Sequence, residues 1–409
     1  VSDTAGRVVI VGAGHAGGSG AAFLRQYGWT GPIILIGTEP VLPYQRPPLS
    51  KTWLTGDADL GSLLLRSSDF YRTNAIEWRG DAEVIAIDRA TRTVTLASGE
   101  RMQYDQLILA LGSIVRTLPL PGHDLRNIMT LRTVADADSL KALLSRRARL
   151  AIVGAGYIGL EIAASARALG ADVIVLEREQ RVLPRVASEP LSAFFQQRHA
   201  AAGVQIMLNA SVEAFEGEDV IAGIRLRDGT VIACDAALVG VGAAPNDALA
   251  RSAGLTCLNG IAVDQAARTS DPLIHAVGDC TFRPLPLYLQ SGRLESVPNA
   301  LEQAKQAAAD VCGRPPPLPE VPWFWSDQYN VRLQIAGLPF DVAELVIRGD
   351  PRGDSFAIFH LSVDGTVQAV EAVNTPAEFM AGRIMIARRR RPLAAQLRDV
   401  SCSLKELTG

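Results

Sequence analysis

Val8–Gly28 reads VVIVGAGHAGGSGAAFLRQYG and Leu150–Gly170 reads LAIVGAGYIGLEIAASARALG; ten of the twenty-one positions are identical. The copies start 142 residues apart, well beyond the roughly 20–50-residue period of a solenoid, so one supersecondary unit is used twice. Each copy has a short apolar run, a glycine loop and a stretch of helix formers. A second apolar run follows each: Pro32–Ile36 (PIILI) and Asp172–Leu176 (DVIVL). Continuous β-branched runs alternating with helical stretches mark a parallel sheet covered on both faces. The expected fold class is α/β, with two Rossmann-like βαβ units.

The loops carry chemistry. In Gly12-x-Gly14-x-x-Gly17 the first glycine permits a tight turn, the second lets backbone approach a pyrophosphate, and the third packs helix on strand. Gly154-x-Gly156-x-x-Gly159 repeats the pattern. Phosphates would sit at the helix N-terminus, where free amides and the macrodipole favour anions. An acid about 20 residues on is needed for a ribose. Glu177 lies 23 residues after Gly154, and Glu39 lies 27 after Gly12 with Thr38 just before it. Two such matches, each between a strand and a helix, predict two dinucleotide sites. A carboxylate at 177 holds a 2′-hydroxyl and repels a 2′-phosphate, which favours NADH over NADPH, although the adjacent Arg178 pulls the other way.

Outside the repeats, Glu83–Leu111 alternates with period two, suggesting a small meander that returns to a strand at Gln106–Ala110. Residues 136–147 look helical. Val204–Leu208, Ile221–Leu226 and Ala236–Gly240 read as a second meander, and Ile274–Val277 as a strand ending in Gly278-Asp279. Prolines 315, 316, 317, 319 and 322 mark a linker. Beyond it, strands are expected at Leu333–Ala336, Glu344–Ile347, Phe356–Leu361 and Val367–Val373, followed by one C-terminal helix.

Bulk composition excludes several classes. The 409 residues are 48% hydrophobic and 20% charged, with a formal charge of −3, so a dedicated nucleic-acid binder is not expected. The five cysteines (234, 257, 280, 312 and 402) form no C-x-x-C pair and no metal-ligand spacing, which reads as reduced thiols in a cytoplasmic protein. The five histidines are equally scattered, and no metal site is expected. Val8–Leu24 is uncharged but holds five glycines and is shorter than a span of about 20 apolar residues, so neither a signal peptide nor a membrane segment is expected.

With two nucleotide loops and Thr269-Ser270-Asp271-Pro272 leading to Ala276-Val277-Gly278-Asp279, the chain resembles the FAD oxidoreductases built like glutathione reductase. The segment Pro43-Tyr44-Gln45-Arg46-Pro47-Pro48-Leu49-Ser50-Lys51 narrows this to the NADH-dependent [2Fe-2S] ferredoxin reductases. Glu295–Ala304 (ESVPNALEQA) and Pro322–Tyr329 (PWFWSDQY) are similar to the putidaredoxin reductase-like branch. The resemblance implies an FAD domain at 1–115 and 245–322, an NADH domain at 116–244 and a C-terminal α+β domain at 323–409. It assigns Gly12, Gly14, Ala16, Gly17, Thr38, Glu39, Arg46, Lys51, Val84, Arg132, Asp279 and Val297 to FAD. Gly154, Gly156, Tyr157, Ile158, Gly159, Glu177, Arg185 and Gly242 go to NADH. Close relatives often carry an acid where this chain has Thr38, which leaves open whether Thr38 or Glu39 meets the ribose. Lys51 and Glu161 correspond to the family's charged pair beside the flavin, the candidate catalytic residues. Pro298 suits the first turn of a helix through Ala300–Val311, whose N-terminus would favour negative charge on the flavin.

Disulfide reductases of this fold need a redox-active cysteine pair near the flavin, yet Tyr44–Leu54 contains no cysteine. Cys280, beside Gly278-Asp279, is read as a small packing residue. Electrons must therefore leave the flavin for an external carrier. The function implied is an NADH:ferredoxin reductase: hydride passes from NADH to FAD, then single electrons to a small acidic [2Fe-2S] ferredoxin serving a cytochrome P-450-type or ring-hydroxylating oxygenase. A rubredoxin or monodehydroascorbate reductase, or an NADH-sensing flavoprotein of the apoptosis-inducing-factor type, are the alternatives. Trp325, Arg332, Arg388 and Arg389 are the candidate docking residues, because an arginine cluster attracts an acidic partner.

Overall fold

The computed structural model describes residues 6–146 and 148–409. The chain divides into two compact units, one of Val1–Gln45, Leu60–Ile114 and Ala244–Phe324, the other of Arg46–Asp59, Val115–Ala243 and Trp325–Gly409.

The first unit is built on a five-stranded parallel sheet, ordered Ile274–Ala276, Gln106–Leu109, Val8–Val11, Ile33–Ile36, Ile76–Arg79. Val8–Val11 and Ile33–Ile36 are buried at every position, which is why they read as unbroken apolar runs. On one face the helices His15–Gln26 and Val297–Val311 pack together over Ile10, Leu35 and Ile108. On the other face the antiparallel meander Val84–Asp88, Thr93–Leu96, Arg101–Gln103 contributes Val84, Val94 and Leu96 to a core with Val9, Val11 and Leu107.

The second unit repeats the plan. Its parallel sheet runs Gln205–Met207, Val173–Leu176, Leu150–Val153, Ala236–Val239, Ile128–Met129, with the helix Tyr157–Ala168 after the glycine loop. It also holds a five-stranded sheet ordered Trp323–Gln328, Val331–Gly337, Val367–Val373, Phe356–Ser362, Val342–Gly349, covered by the helix Pro376–Ala387.

Three details differ from the sequence expectation. Val204–Leu208 and Ala236–Gly240 are not meander strands: both belong to the parallel sheet, and the second meander is Val212–Gly217, Ile221–Leu226, Val231–Ala233. The strand Gln205–Met207 is at the sheet edge, so its partly exposed pattern imitates an antiparallel strand. The helix expected at 136–147 is Val134–Leu144, opened by a Thr133/Asp136 capping box; position 147 lies outside the described residues. Instead of one C-terminal helix there are three, with Ala394–Arg398 and Leu404–Thr408 following Pro376–Ala387. Pro392 bars continuation of the long helix, and buried Arg348 pins the tail by donating to the carbonyls of Leu397, Asp399, Val400 and Cys402.

Candidate functional site

In the first loop, Gly12 has φ +106°, and a Cβ there would lie 2.1 Å from the Ala110 carbonyl oxygen. A Cβ on Gly17 would lie 1.8 Å from the Gly12 oxygen. Nothing stands within 4 Å of the Cβ position of Gly14. The second loop divides the same way. Gly154 has φ +106°, the Cβ positions of Gly154 and Gly159 meet backbone oxygens at 2.5 and 2.3 Å, and that of Gly156 meets nothing. The outer glycines thus close helix on strand, while the middle one opens onto free space. Gly14 and Gly156 are also the N-caps and offer no side-chain acceptor to the first-turn amides. Both loops therefore fit a pyrophosphate.

The acids behave differently in the two units. Glu177, directly after its strand, is buried; one oxygen accepts from the Ala155 amide at 2.8 Å and the other from the Glu179 amide at 3.0 Å. The carboxylate is thereby anchored to the glycine loop itself. Arg178 points instead to Glu179, at 2.9 Å. In the first unit the residue directly after the strand is Gly37, and a Cβ there would come within 2.7 Å of Ala13 and 2.8 Å of the Trp78 ring. No side chain fits, which displaces the acid along the loop. Glu39 is half-buried and accepts from the Tyr44 hydroxyl at 2.6 Å, whereas Thr38 is exposed.

Around the first loop, the Cβ position of Gly278 lies 3.2 Å from Ala16 and 3.8 Å from Ala300, so Gly278-Asp279 and two helix starts converge there. Ser113 Oγ donates to Asp279 Oδ2 at 3.4 Å. Val297 opens its helix with Pro298 in the first turn, and the Ser296 side chain accepts from the Asn299 amide. Val84 is a buried core residue of the meander. Sequence reasoning missed Gln303, whose Oε1 takes hydrogen bonds from the Gly278 amide and Thr281 Oγ1, both at 2.9 Å. Its only sequence signal is a polar residue on the buried face of that helix.

Arg46, Lys51 and Arg132 belong to the second unit, where Arg46 donates to the Arg132 carbonyl. Lys51 Nζ lies 2.6 Å from Glu161 Oε2, and Glu161 is 4% exposed. Ser50 Oγ donates to the same oxygen at 2.5 Å, and Ser165 Oγ donates to the Ser50 carbonyl, so the Pro47–Lys51 segment is tied to the Tyr157–Ala168 helix. Glu161 is thus no solvated helix carboxylate. Near the second loop, the Tyr157 hydroxyl donates to the Val186 carbonyl at 3.2 Å, and burial, then Glu371 and Glu161, push its pKa well up. Ile158 and Arg185 are exposed, and Gly242 has φ +105° with free space at its Cβ position.

Of the docking candidates, Trp325 is half-buried and Arg332 exposed. The arginine run begins where the Pro376–Ala387 helix stops. Arg388 donates to the Thr408 carbonyl, Arg389 has φ 51°, and Arg391 pairs with Asp364 at 2.6 Å. Cys280 is buried and packed, its thiol pushed up to about 12 by burial, which keeps it protonated and unreactive. Among the described residues, no group of three or more His, Cys, Asp or Glu is placed to hold a metal, and no helix is long and apolar enough to cross a membrane.

A family model described as pyridine nucleotide-disulphide oxidoreductase matches residues 6–304, and a reductase C-terminal model matches 323–408. The chain is 50% identical over 385 residues to the probable ferredoxin reductase CtmF of Castellaniella defragrans, covering 94% of each. It is 41% identical over 406 residues to putidaredoxin reductase CamA of Pseudomonas putida, covering 98% of this chain and 96% of the relative. The crystal structure of a covalent putidaredoxin reductase–putidaredoxin complex superposes with a TM-score of 0.95 at 41% identity, covering 98% of both chains.

Proposed function

This chain belongs to the pyridine nucleotide-disulphide oxidoreductase family, among its ferredoxin reductases, and from that premise we propose that it carries electrons from NADH to a small acidic [2Fe-2S] ferredoxin. The ferredoxin would in turn supply a cytochrome P-450-type or ring-hydroxylating oxygenase. The balance is one NADH and two oxidised ferredoxins giving NAD⁺, one proton and two reduced ferredoxins. The observation that carries the reading is the pair of glycine loops with open middle glycines, in a chain with no cysteine from Tyr44 to Leu54.

FAD, when bound, supplies the redox chemistry, taking up a hydride's electron pair and releasing the electrons singly. The protein supplies binding and alignment. Gly12, Gly14, Ala16 and Gly17 would hold the FAD pyrophosphate, with Glu39 on the adenosine ribose and Asp279 on the ribityl side. Gly154, Gly156 and Gly159 would hold the NADH pyrophosphate. Glu177 would accept from the ribose hydroxyls, and its charge would exclude a 2′-phosphate. Lys51, held by Glu161, is the charged group assigned to the flavin and nicotinamide. Trp325, Arg332, Arg388 and Arg389 form the ferredoxin-facing set. We place the protein in the cytoplasm, a reducing compartment that suits five free thiols.

Anaerobic titration with NADH tests the reading. One equivalent of NADH per chain should fully reduce the flavin with no change in thiol titre. Uptake of two equivalents with new thiols would identify a disulfide reductase and overturn it.

A further inference from the structure

The motif Trp325-Ser326-Asp327-Gln328-Tyr329 holds more than its tryptophan. It ends the strand Trp323–Gln328, where side chains alternate between faces. Ser326 and Gln328 are on the buried face, at 0% and 2% exposure. Buried polar side chains need partners, and these two find them in series. Ser326 Oγ donates to Glu161 Oε1 at 2.6 Å, and Gln328 Nε2 donates to Ser326 Oγ at 3.1 Å. Gln328 Oε1 lies 2.8 Å from His199 Nε2, which fixes the ring hydrogen on Nε2. His199 Nδ1 is then the acceptor for the Tyr329 hydroxyl at 3.0 Å.

Every donor points the same way, from the Tyr329 hydroxyl inward to the carboxylate. Such alignment polarises each bond in favour of the next, and it ends on the anion best able to exploit it. With Oε1 occupied by Ser326, Glu161 presents Oε2 to Ser50 and Lys51. Without the Ser326 hydroxyl, a buried carboxylate oxygen would stand unpaired, and the side chain would turn to share its partners. The Gln328 amide sits in the middle and does not shuttle protons, so the series orients and does not conduct.

We propose that Ser326 and Gln328 are positioning residues that act through Glu161 to hold the Lys51 ammonium in place for the NADH half-reaction. This rests on the reading above that Lys51 and Glu161 serve flavin and nicotinamide. The C-terminal motif thereby becomes part of the machinery for electron entry as well as a neighbour of the docking surface.

The test is a double-mutant cycle in the FAD-loaded enzyme, with Ser326→Ala, Glu161→Gln and the double variant. Three quantities are read: the limiting rate of flavin reduction by NADH, the half-saturating NADH concentration, and the thermal unfolding midpoint. Ser326→Ala should slow the limiting rate about tenfold, the scale of one hydrogen bond to a charged group, and shift the half-saturating NADH concentration less than about twofold. Ser326→Thr, which restores the hydroxyl, should recover most of the rate. In the Glu161→Gln background Ser326→Ala should add nothing to the rate, and the midpoint losses should fall short of additivity. Gln328→Leu gives the same test at the next position should Ser326→Ala fold poorly. A full Ser326→Ala effect in the Glu161→Gln background, or a slow Glu161→Gln beside a normal Ser326→Ala, would overturn the proposal. If the midpoints couple but Glu161→Gln reduces its flavin at the normal rate, the hydrogen-bond series stands, and both the role given to the charged pair and this proposal fall.

Discussion

Replacing His199 by glutamine should make the protein less sensitive to acid. His199 is fully buried, and burial pushes its pKa down from 6.5 to about 4 against an opposing hydrogen bond with Gln328. The folded ring therefore stays neutral where the unfolded ring has already taken a proton. The sign follows: above pH 6.5 neither state is protonated and the site costs nothing, whereas between pH 6.5 and 4 the unfolded state binds the extra proton and stability falls as pH falls. At about 1.36 kcal/mol per pH unit, the loss from this ring reaches about 2 kcal/mol at pH 5 and about 3 kcal/mol at pH 4. His199→Gln removes the titration but costs some stability through lost contacts with Gln328 and Tyr329, so slopes must be compared and not absolute values. Urea unfolding of wild type and variant would be followed by tryptophan fluorescence from pH 7.5 to pH 4.5. Wild type should lose about 2 kcal/mol more than the variant between pH 7 and pH 5. Parallel losses would show that His199 is protonated in the folded protein and refute the buried neutral ring.

Gly14→Ala should fold with an unchanged thermal midpoint yet bind FAD at least tenfold more weakly, because its Cβ enters the open space assigned to the pyrophosphate; flavin retention after gel filtration reads this. Gly12→Ala should fail at folding itself, given φ +106° and the Ala110 oxygen 2.1 Å away, and circular dichroism would report it. Glu177→Gln should narrow the NADH-over-NADPH preference in kcat/KM by about tenfold, as one buried charge is removed while an acceptor for the Ala155 amide remains; an unchanged ratio would remove its assigned role. Arg388→Ala with Arg389→Ala should raise KM for ferredoxin and flatten its salt dependence while sparing ferricyanide reduction. Equal losses with both acceptors would point to folding.

The parts legible in the sequence are those where local patterning and burial agree. Val8–Val11 and Leu150–Val153 are buried on both faces of their sheets, so their apolar runs identify them without context. The glycine loops are equally plain, since only glycine tolerates the φ and the close contacts found there. What escaped depends on contacts distant in sequence. The resemblance singled out Glu161 and Lys51, but not the Ser326 hydroxyl, 165 residues on, that is bonded to the Glu161 carboxylate. Gln205–Met207 is only partly buried because it is an edge strand, a fact of sheet order that no local window contains. The displaced acid at Glu39 depends on Trp78 filling the space beside Gly37, a tertiary contact with no sequence signature.

Under the proposed function, electrons taken from NADH leave singly for a [2Fe-2S] ferredoxin. The decisive experiment is steady-state NADH oxidation by the FAD-loaded protein, with a [2Fe-2S] ferredoxin, a rubredoxin and monodehydroascorbate compared as acceptors. Turnover should be rapid with the ferredoxin at low salt, at a stoichiometry of two ferredoxins reduced per NADH, and kcat/KM should be much lower with the other two acceptors. Turnover confined to rubredoxin or monodehydroascorbate, or slow turnover with all three, would overturn the assignment of a ferredoxin as acceptor.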